Sequence, residues 1–223
     1  MFQGYNDETF EFFMAIKFNN NTDFFHANHD WYLRGVREPS LALAEALAPT
    51  VEEIDDSLER RPNRAVSRIN RDIRFSNDKS PYRDCSWISF HHTGEDKGKL
   101  PGLFFEVRDS GGFCGMGFYK GNKPFMDLIR KAILEKPQMM LDMYLPLEQE
   151  FHFYPELSAR IAIPEEVPPQ LRALYAAKTF YFEKVISDFD LIRSPKLADE
   201  LRECFKRFAP FYRYIIDLYR QQA

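Results

Sequence analysis

Cysteine is scarce in this chain of 223 residues, and that scarcity excludes a disulfide-stabilised scaffold. The three cysteines, Cys85, Cys114 and Cys204, are odd in number, widely separated and without a CxxC pair. Such a set cannot complete a framework of disulfide bonds. We therefore expect a protein of the reducing cytoplasm.

Long apolar runs and export signals are missing as well. The most apolar run, LALAEALA, is short and is interrupted by Glu45. The opening residues, MFQGYNDETFEF, carry acids where an export signal has a basic and then an apolar region. We predict neither export nor a membrane span.

Several common motifs of enzymes and metal sites are also absent. The sequence has no Walker loop, no GxGxxG opening a helix and no GxSxG elbow, which disfavours the usual designs for nucleotide-dependent transfer and serine hydrolysis. His26 and His29 lie three apart in a predicted helix, and His91 and His92 are adjacent, but no third ligand stands at motif spacing. We predict no metal ion and no cofactor.

The composition is typical of a soluble globular protein with a phenylalanine-rich core. Hydrophobic residues make up 44% of the chain and charged residues 29%, and there are 22 phenylalanines but only 10 glycines. A chain of this length can bury a sizeable core. We predict a single domain over 1–223, with helices in about the first 55 residues, a sheet-rich middle and a helical C-terminal part.

The spacing of apolar residues predicts an α+β fold. Alternation in CSWISFHH, GLFFEVR and FCGMGFY predicts three antiparallel strands, and KTFYFEKVIS predicts one more. Helical spacing marks the N-terminal part, GNKPFMDLIRKAILEKP and KLADELRECFKRFAPFYRYIIDLYRQQ, whereas Pro146 to Pro169 is predicted to be irregular. The expected architecture is an antiparallel sheet packed against N-terminal and C-terminal helices.

Two glycines share one face of the third predicted strand. Gly115 and Gly117 lie there beside Phe113 and Tyr119, and they leave bare backbone where another group can come close. We predict that a tightly packed helix crosses at this point, with a bound ligand as the alternative.

Positive charge is concentrated in one stretch, SRINRDIRFSNDKSPYRD, which runs from Ser67 to Asp84. From Glu59 to Asp84 there are eight basic and four acidic residues, so the remainder of the chain carries −8 within a total of −4. A protein that coats nucleic acid needs a broad field of Lys and Arg, which disfavours a nucleic-acid partner. A compact basic cluster on an acidic chain suits a small anion better.

The clustered arginines require negative charge nearby, and two sources can supply it. As a strand the segment would place Arg68 and Arg74 on one face, and as a helix it would group Arg68 with Arg71; in both cases Ile69, Ile73 and Phe75 would anchor it to the core. The first source is internal, with aspartates of the segment forming salt bridges that contribute little if exposed. The second is an external carboxylate or phosphate, which the guanidinium fork binds bidentately.

A carboxylate elsewhere in the chain is a candidate companion for these arginines. Glu106 and Arg108 share a face of the predicted strand GLFFEVR. If that strand borders the basic segment, Glu106 becomes a candidate acid or base, with Tyr82 as a second proton donor.

Four segments together resemble a known family. They are RAVSRINRDIRFSNDKSPYRD, SWISF, PGLFFEVRDSGGFCGMGFY and FNNNTDFFHANHDWYLRGVREP, and they are similar to the conserved hypothetical bacterial proteins called domain of unknown function 2461. The resemblance covers nearly the whole chain, implies a single domain and supplies no activity. Residues that match its most specific part are Arg68, Arg71, Asp72, Arg74, Phe75, Asp78, Lys79, Pro81 and Tyr82.

Three functions remain open at this point. The favoured one is binding of, or catalysis on, a small anionic ligand. The others are a noncatalytic module that docks an acidic partner on a convex surface, and a binder of nucleic-acid ends or short single strands on which Tyr82 and Phe75 stack. The candidate ligand-binding residues are Arg68, Arg71, Asp72, Arg74, Lys79, Tyr82 and Glu106.

Overall fold

A five-stranded antiparallel sheet lies at the centre of the computed structural model, which describes residues 1–74, 77–93 and 98–221. The strand order is β1-β2-β3-β5-β4. The fold is therefore α+β, as the apolar spacing predicts. The strands are β1 Cys85–Phe90, β2 Pro101–Arg108, β3 Gly111–Phe118, β4 His152–Leu157 and β5 Ala177–Ile186.

Helices precede, interrupt and follow the sheet. Asn6 caps the first helix by accepting a hydrogen bond from the backbone of Thr9, and Asn122 caps α6 in the same way through Phe125, with Pro124 in its first turn. None of the helices in the described part of the chain combines the length and apolarity that crossing a bilayer requires. The helices are α1 Asp7–Phe18, α2 Thr22–Ala27, α3 His29–Tyr32, α4 Glu38–Ile54, α5 Pro62–Ala65, α6 Lys123–Glu135, α7 Pro137–Glu150, α8 Arg172–Ala176, α9 Phe189–Ile192 and α10 Lys196–Arg220, with a π-helical turn at Leu33–Arg37 and a 3-10 turn at Pro169–Leu171.

The prediction of an irregular passage from Pro146 to Pro169 is wrong in part. Pro146 lies inside α7, and Pro155 lies inside β4, which pairs only with β5 in this sheet. Proline removes a backbone donor, but an edge strand has one side without ladder partners and tolerates that loss. The two prolines therefore led to a wrong prediction for β4 and for the end of α7.

The two faces of the sheet have different surroundings. Side chains such as Phe105, Met116 and Phe182 are fully buried on the helix-covered face, where they join the α10 residues Phe205 and Phe208 in one core. The apolar residues that recur at helical spacing along α10 therefore belong mostly to the core. Alternate residues of the same strands point to the other face; among them Trp87, Phe104, Tyr181 and Glu183 are at least partly exposed, whereas Glu106 is buried.

The prediction of a helix crossing at Gly115 and Gly117 is wrong. A Cβ atom at Gly115 would lie 2.5 Å from the ring of Phe104, and one at Gly117 would lie 2.4 Å from Cβ of Tyr181. Aromatic side chains of the neighbouring strands β2 and β5 occupy the space above these glycines, an arrangement that stabilises sheets containing glycine.

Candidate functional site

The basic segment folds back on itself between α5 and β1. The backbone N–H of Arg71 donates to the Pro81 carbonyl and that of Arg83 donates to the Ile69 carbonyl, at 2.8 Å each. The segment is therefore neither the regular strand nor the helix considered from the sequence.

Two buried apolar side chains anchor this fold-back to the core. Ile69 and Tyr82 are buried, and the Tyr82 ring stacks on Phe25 with centroids 4.2 Å apart. Ile73, which was expected to be an anchor, is 42% exposed because it lies in the turn, and Phe75 lies outside the described residues. Ile69 and Tyr82 thus supply the anchoring that the sequence indicated.

Arg71 is tied to the segment by several polar contacts. Its guanidinium lies 3.0 Å from a carboxylate oxygen of Asp78 and 3.6 Å from one of Asp84, and it also donates to the carbonyl of Tyr82. The internal source of negative charge therefore accounts for Arg71.

Two further cations are also held locally. Arg74 donates to both carboxylate oxygens of Asp72, at 2.9 and 2.7 Å, and these bonds lower the pKa of Asp72 to about 2. Lys79 donates to the carbonyl of Ile73 at 2.8 Å. Both pairs are exposed to solvent, so each contributes little to stability.

Two arginines of the segment lack such contacts. The guanidinium groups of Arg68 and Arg83 form no hydrogen bond or ion pair with any residue that the structure describes. Arg68 is exposed, so water can satisfy its donors. Arg83 is partly buried, and its Nε is fully buried without a hydrogen-bond partner.

Arg83 lines a concave cavity of about 430 Å³ between the basic segment and the sheet. Arg71 and Glu106 line the same cavity, so the fold brings together the arginine and the carboxylate whose proximity the sequence left open. Tyr82 is not among its lining residues, since its ring packs against Phe25. The lining residues are Arg71, Asp72, Arg83, Asp84, Cys85, Trp87, Glu106, Arg108 and Tyr119.

Glu106 and Arg108 form an ion pair at the sheet side of this cavity. Glu106 is 5% exposed and pairs with the Arg108 guanidinium, which lies 4.4 Å from the centre of the Phe113 ring. The Nε of Arg108 is buried and has no hydrogen-bond partner among the residues that the structure describes. Burial, aided by the charge of Glu106, raises the pKa of the nearby Cys85 thiol to about 12, which makes that thiol a poor nucleophile.

A second polar cluster, around His92, is a network of hydrogen bonds that links α10 to the residues after α4 and β1. His92, two residues after the end of β1, lies 3.0 Å from the Tyr212 hydroxyl through Nε2 and 3.2 Å from the Ser57 hydroxyl through Nδ1. Tyr212 in turn donates to Asp55, which Arg220 also binds. Within 1–74, 77–93 and 98–221, no group of three or more histidine, cysteine or acidic residues is arranged to hold a metal ion.

A family model described as conserved hypothetical protein (DUF2461) matches residues 8–214. The chain belongs to this family. The match includes all five strands, the basic segment and most of α10, so in this member of the DUF2461 family the cavity lies wholly inside the matched region. A search of curated proteins finds no match.

Sequence reasoning missed some residues of the site in this DUF2461 family member. Arg83 belongs to the basic segment, but nothing in the neighbouring sequence distinguishes it from Arg71, which is paired. Trp87 and Glu183 were not selected either, although strand alternation places Trp87 opposite Glu106 and sets Glu183 on the same face as Tyr181. The usable signal was this alternation, applied to polar and aromatic residues as well as to the core.

Proposed function

We propose that this protein binds a small ligand carrying a carboxylate or a phosphate in the cavity beside Arg83. The observation that carries the proposal is the unpaired, partly buried guanidinium of Arg83. Removing a cation from water without a partner is unfavourable, and an anion in the cavity would supply that partner. The planar guanidinium matches carboxylate and phosphate oxygens bidentately.

The shape and charge of the cavity support a small ligand over the other candidates. A docking module would present its arginines on a convex surface, whereas Arg71 and Arg83 stand on the wall of a concavity. The lining holds three arginines and three acids, whose formal charges cancel. A neutral lining suits a ligand with one or two charges better than a nucleic-acid strand.

Catalysis at the same cavity would use Glu106. Its carboxylate is buried beside Arg108 and is the lining group best suited to move a proton to or from a bound substrate. We also propose a reducing, cytoplasmic setting, which the three free cysteines support.

The test is a thermal-shift screen of phosphate, sulfate, phosphorylated sugars, nucleotides, and di- and tricarboxylates. A ligand at a hundred times its dissociation constant stabilises the folded state by about 2.7 kcal/mol, which raises the Tm of a domain of this size by about 5–10 °C. We expect Arg83→Ala to abolish the rise. Arg68→Ala is the matched control, because Arg68 is equally unpaired but exposed and outside the cavity lining.

Either of two results would contradict the proposal. One is a ligand-induced rise that persists in Arg83→Ala. The other is the absence of any rise across the whole screen, which would favour a structural role for the basic segment.

A further inference from the structure

A row of aromatic side chains crosses the open face of the sheet. The ring centroids of Trp87 and Phe104 are 5.4 Å apart, those of Phe104 and Tyr181 are 6.3 Å apart, and Tyr181 stacks on Tyr154 at 4.8 Å. These four residues, the aromatic row, come from strands β1, β2, β5 and β4. Between them β3 contributes Gly115 and Gly117, so no β3 side chain separates Phe104 from Tyr181.

Part of this row lines a second cavity, of about 360 Å³. Trp87, Phe104 and Tyr181 contribute to its wall, together with the carboxylates of Glu106 and Glu183. Arg108 is its only full positive charge among the described lining residues, so the lining carries a net −1 with His91 neutral.

Glu183 is the carboxylate of this cavity that lacks a partner. It is partly buried, and it forms no hydrogen bond or ion pair within the described part of the chain, not even with its cross-strand neighbour His152. Burial raises the pKa of Glu183, and the charge of Glu106 adds to the effect, while Arg108 and His152 oppose it. The position therefore favours a group that brings positive charge.

Aromatic faces beside a carboxylate are the usual means of recognising an organic cation. The ring quadrupole attracts ammonium groups that approach the face, and the attraction grows when water is excluded. A nucleic-acid strand could also stack its bases on the aromatic row. Its phosphates would then meet Glu106 and Glu183, which favours the cation.

The two cavities adjoin each other. They share Trp87, Glu106, Arg108 and Tyr119, so the ion pair of Glu106 and Arg108 stands between the unpaired Arg83 and the unpaired Glu183. One end of the combined site lacks an anion and the other lacks a cation.

We propose that the ligand is an extended zwitterion, with its anionic group at Arg83 and its ammonium group on the aromatic row beside Glu183. This inference rests on the proposed function and specifies its ligand. A single molecule then provides both missing charges, while the pair of Glu106 and Arg108 remains intact.

The strand register sets the length of such a ligand. Cys85 pairs with Arg108, and the position of Glu183 is level with Ser89 through Gly115 and Phe104. Four residues along the strands and three strand spacings across them separate the backbones of Cys85 and Glu183 by ~20 Å. Arg83 lies two residues before Cys85, and Arg83 and Glu183 line the adjoining cavities between these points, so we expect charges about 10 Å apart, which is the span of a tripeptide.

Triglycine is a suitable probe because each of its charges can be removed separately. Isothermal titration calorimetry would compare triglycine, N-acetyl-triglycine, triglycine amide and glycine. We expect triglycine to bind at least about tenfold more tightly than either blocked form, and glycine to gain nothing from its two charges because they are too close together.

Variants assign each charge to its end of the site. Glu183→Gln should reduce triglycine to the affinity of N-acetyl-triglycine, and Arg83→Ala should reduce it to that of triglycine amide. Glu166→Gln, which changes an exposed glutamate outside both cavities, should leave all four affinities unchanged.

The outcomes separate this inference from the proposed function. If N-acetyl-triglycine binds through Arg83 and the free ammonium group adds nothing, the zwitterion is refuted and the anion site stands. If only triglycine amide binds, the anion site is refuted. If none of the probes binds, the inference is refuted. The proposed function is then tested separately by the thermal-shift screen of anions.

Discussion

Replacing Arg83 by methionine should stabilise the ligand-free protein. Methionine keeps much of the side-chain length and removes the buried Nε–H, which has no hydrogen-bond partner in the described part of the chain. An unsatisfied buried donor costs about 1–3 kcal/mol. Part of the guanidinium remains hydrated, so we expect a gain of up to about 1 kcal/mol in the free energy of unfolding, or about 2–4 °C in Tm for a domain of this size.

Arg71→Met provides the matched comparison, because the two arginines line the same cavity. Arg71 would lose its ion pairs with Asp78 and Asp84 and its bonds to the carbonyl of Tyr82. Its side chain is 25% exposed, so we expect the free energy of unfolding to fall by about 1–3 kcal/mol.

The assay is urea unfolding followed by tryptophan fluorescence, in a buffer free of phosphate, sulfate and carboxylate. In this buffer the two variants should change the free energy of unfolding in opposite directions. When a stabilising anion from the screen is added, Arg83→Met alone should lose the stabilisation that the anion gives the unmodified protein. If Arg83→Met lowers stability as much as Arg71→Met does, Arg83 is a structural residue and our reasoning about its missing partner is wrong.

Three further predictions concern the fold. Tyr212→Phe removes a buried hydroxyl that donates to Asp55 at 3.0 Å, and should cost about 1–3 kcal/mol in chemical denaturation; no loss would show that the contact contributes nothing. Hydrogen bonds from Arg61 lower the pKa of the buried Glu59 to about 2 from 4.5. The stabilisation by ionised Glu59 is complete above pH ~4.5 and is lost as the pH falls towards 2. Because Arg61 is exposed, the free energy of unfolding should fall by about 1–2 kcal/mol over this range. Glu59→Gln should weaken this part of the pH dependence. Gly115→Ala places a methyl group 2.0 Å from a backbone oxygen of β5, and should lower stability by about 3 kcal/mol or more; an unchanged Tm would contradict the close packing above this glycine.

Local patterns in the sequence were sufficient for most of the fold. Alternation predicted β1, β2, β3 and β5, and the apolar stripe of α10 predicted which of its faces is buried. These features depend on neighbours a few residues apart along one element. Prolines misled the same reasoning at α7 and β4, because only the sheet order shows that Pro155 lies in a strand with a free edge.

For the candidate site, the sequence by itself determined that positive charge is concentrated from Ser67 to Asp84, since charge composition is local. Only the tertiary structure decided which arginine of the cavity lining forms no ion pair within the segment. The fold-back of the segment pairs Arg71 with Asp78 and Asp84, whereas the Arg83 guanidinium lies at the cavity wall with no partner among the described residues. The pairing of β3 with β5, which joins residues distant in sequence, likewise sets Glu183 opposite Gly115 and brings two distant stretches of chain to adjoining cavities.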